Sequence, residues 1–344
     1  MQLHLNTYGA YLHVKDAMFD VRKKRDDGTI ESKTLAAHKV QSIWLGRGTS
    51  LSSDAVRLAL MHNVDIVFLE NNGQPLGRVW HSKLGSTTRI RKCQLEASLD
   101  ERCLQWVKTW LGQKVEGQSI LLRDLKKHRP QYANYLDDKL LQIADLQQKI
   151  AALAPAGMTA TDWGGTMQGL EGTAGRLYFE TLSQMLLPAW QFQGRSKRPA
   201  QDAFNAFLNY AYGVLYARVE KALMLAGLDP YVGFMHRDDY NHKSLVFDFI
   251  EPYRHWADKA VFTLFAGKKV NQSCVDIVTG GVSMNKQGKE VLMTHYNEYL
   301  EGEIIRYKGR NRTRASILLL DAHAFAQSLL GSKDAVEMGE VVEL

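Results

Sequence analysis

Cysteine is scarce in this sequence: three among 344 residues, Cys93, Cys103 and Cys274. The number is odd, no two form a CxxC pair, and no histidine stands at zinc-finger spacing. A disulfide framework and a zinc ribbon are both excluded, and reduced thiols in a cytoplasmic protein are expected. Long apolar runs are missing too. The densest stretch, 316–330, is interrupted by Asp321, His323, Gln327 and Ser328, short of the ~18 uninterrupted apolar residues of a membrane helix. The first residues lack a basic start followed by an apolar core, so no signal peptide is predicted. There is no glycine-rich phosphate loop, no nucleophile elbow and no HExxH, which argues against P-loop, hydrolase-fold and zincin chemistry.

What is present is an average soluble composition, 45% hydrophobic and 23% charged, which excludes disordered and collagen-like chains. At roughly 150 residues per domain the length suggests two domains. Lys plus Arg is 43 against 37 for Asp plus Glu, a formal charge of +6. That mild excess suits a phosphate-bearing partner without requiring one.

The chain changes character near residue 88. Before it, apolar segments at 8–14, 19–22, 40–45, 65–70 and 76–80 read as strands, and Asp27-Gly28 marks a hairpin. One helix is expected between 50 and 64, with Ser53-Asp54 as its cap. After it, helical spacing runs through 89–124, 131–153, 169–186, 203–226, 257–265 and 314–330. The predicted fold class is α+β in two domains: a small N-terminal β-rich domain, 1–87, then a larger, mostly α-helical catalytic domain, 88–332. A loose tail follows at 333–344.

Acids in apolar settings are the candidate chemistry. Glu171 is read as opening a helix whose shared face carries Ala174, Gly175 and Tyr178; a helix-dipole role is the plain alternative. His236 ends an apolar approach, where a hydrogen-bonded core histidine is equally natural. Asp248 and Glu251 stand three apart among Leu245, Val246, Phe247, Phe249 and Ile250. Two such carboxylates need neutralising, by Arg254 as an ion pair or by a divalent metal. If Glu171, His236 and Glu251 converge, two carboxylates and one imidazole without a thiolate suit Mn²⁺ or Mg²⁺, and such an ion fits phosphodiester chemistry. Basic residues cluster at 89–92, 195–198 and 306–314, as solvated faces or as phosphate contacts.

Taken in order, these segments resemble the CRISPR-associated integrase family, metal-dependent DNA integrases and endonucleases that insert new spacers into CRISPR arrays. The likeness runs from about residue 12 to 330. It rests on Gly48-Thr49-Ser50-Leu51-Ser52-Ser53-Asp54-Ala55, on Gln168-Gly169-Leu170-Glu171-Gly172 with Tyr178-Phe179, and on Arg198-Pro199 with 202–212. It continues through 227–230 to His236, then Ser244-Leu245, Asp248 and Glu251-Pro252-Tyr253-Arg254. The resemblance implies metal ligation by Glu171, His236 and Glu251, with Asp248 supporting the catalytic site. It implies Mn²⁺ or Mg²⁺ as cofactor and a homodimer formed mainly through the β domain. Implied partners are double-stranded DNA (spacer precursor and CRISPR repeat) and a small ferredoxin-like companion subunit, with no membrane. The reaction expected is attack of a DNA 3′-hydroxyl on a phosphodiester of the repeat, with a non-catalytic DNA-binding scaffold, or a small-molecule metalloenzyme, as the rival readings. Candidate DNA contacts are Arg91, Lys92, Tyr178, Lys197, Arg198, Lys243 and Arg254. Two departures touch loop detail: the acidic pair Asp238-Asp239, and Lys243 where the family usually carries arginine.

Overall fold

Val14 and Phe19 face each other across a two-residue turn at Asp16 and Ala17, whose φ angles of 51° and 57° match the right-handed twist of the strands they join. That hairpin begins the first of two units, Met1–Gly85 and Ser86–Leu344. The computed structural model describes residues 2–25, 28–40, 42–62, 64–70, 75–79, 87–154, 160–197, 199–236 and 242–331. The tail at 333–344, Arg198 and the Asp238-Asp239 pair lie outside them.

In the first unit, β1 (Gln2–Leu5), β2 (Tyr11–Lys15), β3 (Met18–Lys24), β4 (Ile30–Ala36), β5 (Ser42–Leu45), β6 (Ser50–Leu51), β7 (Asp65–Leu69) and β8 (Pro75–Val79) surround α1 (Ser53–Met61). They form two four-stranded sheets, ordered β1-β5-β7-β8 and β4-β3-β2-β6. Leu12, Phe19, Ile43, Leu45, Ala55, Ala59 and Ile66 make their common core. The helix is capped one residue earlier than its sequence suggests: Ser52 Oγ accepts from the Ala55 amide at 3.1 Å.

The second unit is helical, with α2 (Thr87–Ser98), α3 (Arg102–His128), α4 (Ala133–Ala152), α5 (Ala160–Gln184), α6 (Ala203–Leu225), α7 (Ser244–Phe249) and α8 (Arg254–Ala266). A hairpin of β9 (Val275–Val278) and β10 (Gly281–Met284) precedes α9 (Lys286–Asn297). A second hairpin, β11 (Ile304–Tyr307) and β12 (Arg310–Thr313), leads into α10 (Arg314–Leu330). The helix α6 is apolar on nearly every side and packs on α7, α8, α9 and α10, as expected of a helix at the centre of a bundle.

Three differences from the sequence reading matter for the site. The predicted helix 89–124 is two helices, because Asp100 accepts from the Arg102 amide at 2.8 Å and starts a new one. α5 begins at Ala160, so Glu171 lies mid-helix and the helix-dipole account of that acid fails. Both hairpins of the second unit went unforeseen, since four-residue strands are too short for a period of two to stand out.

Candidate metal-ion and DNA site

On α3, Trp110, Lys114, Gly117 and Leu121 share one face by helical spacing. Three of them suit an interior; Lys114 is charged and only 7% exposed. Its ammonium sits between two carboxylates far apart in sequence, contacting Glu171 Oε1 on α5 and Glu251 Oε2 at 2.6 Å. Gly117, one turn on, keeps the approach open: a Cβ there would collide with the His255 ring.

Glu251 begins a short 3-10 turn, Glu251–Tyr253, between α7 and α8, with Pro252 supplying the φ that a helix start favours. Its other oxygen, Oε1, accepts from Arg254 Nε at 2.8 Å. Arg254 in turn donates to the Tyr216 hydroxyl at 2.8 Å and lies over the rings of Tyr212 and Tyr216. Burial pushes the Glu251 carboxyl up, but Arg254 and Lys114 outweigh it and hold it at about 2. Burial likewise disfavours the Lys114 ammonium, and Glu251 and Glu171 outweigh that, raising it above its ordinary value. Two acids and two cations thus neutralise one another in a site where an isolated charge would be costly.

A second cluster adjoins α7. Asp248 is 2% exposed and accepts four hydrogen bonds. Its Oδ2 takes the Phe234 amide at 2.6 Å and the Met235 amide at 3.0 Å; its Oδ1 takes the His236 amide at 3.2 Å and pairs with His236 Nδ1 at 2.6 Å. With Nδ1 occupied, Nε2 is the ring nitrogen left for a ligand. Phe234 stacks on Trp106 and Trp110, and Trp110 is one helical turn from Lys114, so one aromatic layer underlies both clusters. Upstream, Gln94 Nε2 donates to the carbonyls of Asp229 and Val232 at 2.8 Å each. At Gly233 a Cβ would collide with Ser244 and the carbonyl of His236, which is why the loop can close on α7 there.

The structure therefore brings Glu171 and Glu251 together through Lys114, and His236 together with Asp248. It does not close the two pairs into one ready-made shell: among the described residues, no three His, Cys, Asp or Glu side chains are gathered closely enough to hold a metal ion. The donor chemistry nonetheless fits a divalent cation. Both acids already converge on a positive charge, and Glu251 Oε2 is buried with no donor well aligned on it despite the ammonium nearby.

The candidate DNA contacts divide. Arg91 and Lys92 on α2, and Lys197, are exposed. Lys243 pairs with Glu220 at 2.9 Å, and Arg254 is committed to Glu251 and Tyr216. Tyr178 is a correction: it is fully buried and its hydroxyl donates to Asp258 at 3.1 Å, so it is a core residue and no DNA ligand. In the basic segment 306–314, Lys308 pairs with Asp321 at 3.0 Å, while Arg314 is buried on Glu303 and lies over the Tyr299 ring.

Sequence reasoning missed Lys114 and Asp258. A lysine on the apolar face of α3 was the available signal for the first. Asp258, on the buried face of α8, takes Tyr212 as well at 2.6 Å; burial raises its carboxyl to about 6, only partly offset by the tyrosine hydroxyls and by Arg195 and Arg254.

Residues 3–298 match the model of a protein family described as CRISPR associated protein Cas1. A CRISPR-associated endonuclease Cas1 of Archaeoglobus fulgidus is 30% identical over 97% of both chains. Among solved structures, a casposase bound to its integration product superposes with a TM-score of 0.82 at 22% identity, covering 95% of this chain and 90% of that one. A Cas6-RT-Cas1–Cas2 complex gives 0.75 at 20% identity, covering 96% of this chain and 35% of the other. At such identities the structural likeness establishes the fold.

Proposed function

The chain belongs to the CRISPR-associated Cas1 family, and on that premise we propose that it is a metal-dependent DNA integrase and endonuclease acting through Glu171, His236 and Glu251. The observation that carries this is the convergence of Glu171 and Glu251, from separate helical segments, on a single cation. The third ligand of this reading is His236, whose ring a buried aspartate, Asp248, orients. Mn²⁺ or Mg²⁺, held by the two carboxylates and His236 Nε2, would polarise a phosphoryl oxygen and offset the charge that grows on the attacking and leaving oxygens.

The chain's own part is positioning. Arg254 and the Pro252 turn hold Glu251, α5 holds Glu171, and Asp248 fixes the tautomer and direction of His236. The 3′-oxygen of an incoming DNA end forms a new bond to phosphorus in the repeat. The repeat's own 3′-oxygen leaves, and the proton lost by the attacker is balanced by one gained by the leaving group. Water in place of the hydroxyl gives hydrolysis. None of the three site residues serves as a nucleophile, so no covalent enzyme intermediate forms. The exposed Arg91, Lys92 and Lys197 suit a duplex backbone, and the presence of Cas2 in the complex of a structural relative supports a companion subunit. A homodimer through the β-rich unit completes the assembly.

The test is Mn²⁺-dependent joining of a labelled duplex to repeat-bearing DNA. Glu171→Ala and His236→Ala should each abolish joining while melting close to the parent. Joining at the parental rate in either variant would refute the assignment, and DNA binding without any metal-dependent product from the parent would favour a scaffold.

A further inference from the structure

Lys114 places a positive charge where the proposed metal site needs one. Its ammonium touches Glu171 Oε1 and Glu251 Oε2 together, on the two acids that would hold the ion. Resting on the metal-site reading above, we propose that Lys114 is a built-in occupant of the divalent-cation position. It holds the two acids together while the ion is absent and yields the place when the ion binds.

Three observations support exchange rather than coexistence. An ammonium and a divalent ion held by the same two carboxylates would repel one another strongly in a buried setting. The two cations of the site are also held differently. Arg254 is anchored at Glu251, at the Tyr216 hydroxyl and over two rings, so it is built to stay. Among the described residues, the Lys114 ammonium is paired with the two carboxylates only, on a four-carbon stem of rotatable bonds. Finally, the Glu171 side chain is 27% exposed against 5% for Glu251, so of the two acids Glu171 is the one that water reaches. An ion enters by way of Glu171 as the ammonium withdraws. Lys114 is thus a positioning residue: it keeps like charges from driving the acids apart, and it sets how strongly an ion must bind to displace it.

The experiment is calorimetric titration of the full chain with Mn²⁺, alongside melting temperatures with and without the ion, for the parent, Lys114→Met and Lys114→Arg. Lys114→Met should bind Mn²⁺ at least tenfold more tightly, melt lower than the parent without metal, and recover more than the parent when Mn²⁺ is added. Lys114→Arg, whose larger fixed cation is harder to displace, should bind Mn²⁺ more weakly than the parent, and it serves even if the methionine variant fails to fold. Parental binding together with equal or weaker binding by Lys114→Met overturns the proposal. So does tighter binding by Lys114→Arg. A parent that binds no Mn²⁺ instead removes the metal-site reading beneath it, a distinguishable failure.

Discussion

One oxygen of Asp248 holds His236 twice, by its ring Nδ1 at 2.6 Å and by its backbone amide at 3.2 Å. The other oxygen holds the two preceding amides. Ring direction and loop path therefore depend on the same buried carboxylate.

Asp248→Asn should break both. An amide presents one acceptor and one NH₂ group, so whichever way it turns, a donor faces a donor. Leaving such buried groups unsatisfied costs about 1–3 kcal/mol, expected as a lower urea midpoint. Amide exchange at 234–236 should quicken, and strand joining should fall with it. Unchanged exchange protection would show that the loop is held by other means.

Glu251 and Asp258 are both buried, yet they shift in opposite directions. Asp258 lies raised, at about 6 against an ordinary 3.8. Its contribution to stability is complete below the ordinary value and is lost as pH rises through about 6. Asp258→Asn should remove that loss, gaining on the parent by roughly 3 kcal/mol between acid and neutral pH. Glu251 lies depressed, at about 2 against 4.5, so its contribution is present above 4.5 and is lost as pH falls through about 2. Urea melts from pH 4 to 8 should show the Asp258 effect and little titration of Glu251.

Buried and exposed candidates for DNA contact should separate by salt dependence. Lys197→Ala and Arg91→Ala should each reduce the slope of log affinity against log salt by about one. Tyr178→Phe should leave the slope unchanged and alter stability through Asp258. Filter binding across a salt series measures all three. A slope change in the tyrosine variant would place that ring at the DNA after all.

Much of the fold was legible because long helices and alternating strands carry strong periodic signals; α10 shows in its apolar spacing and α6 in its long, nearly continuous apolar run. Glu171, His236, Asp248 and Glu251 could be picked out as polar groups in apolar surroundings. What could not be read was pairing. Nothing local in the sequence says that Lys114 meets acids 57 and 137 residues away, or that Tyr178 turns inward to Asp258. Helix starts were also hidden: helical spacing was read only from 169, whereas α5 already runs from Ala160, with Trp163 and Met167 buried on its earlier turns.

Glu171 and Tyr178 ride the same unbroken α5, with seven residues' spacing deciding that one meets Lys114 while the other points to Asp258. Each helical residue turns the rod by about 100°. A single insertion between these positions would swing the acid out of alignment, whereas added length beyond either end of the rod would leave their phase intact. Tolerance of length change in this segment should thus be sharply uneven, low within one stretch of two turns and high outside it.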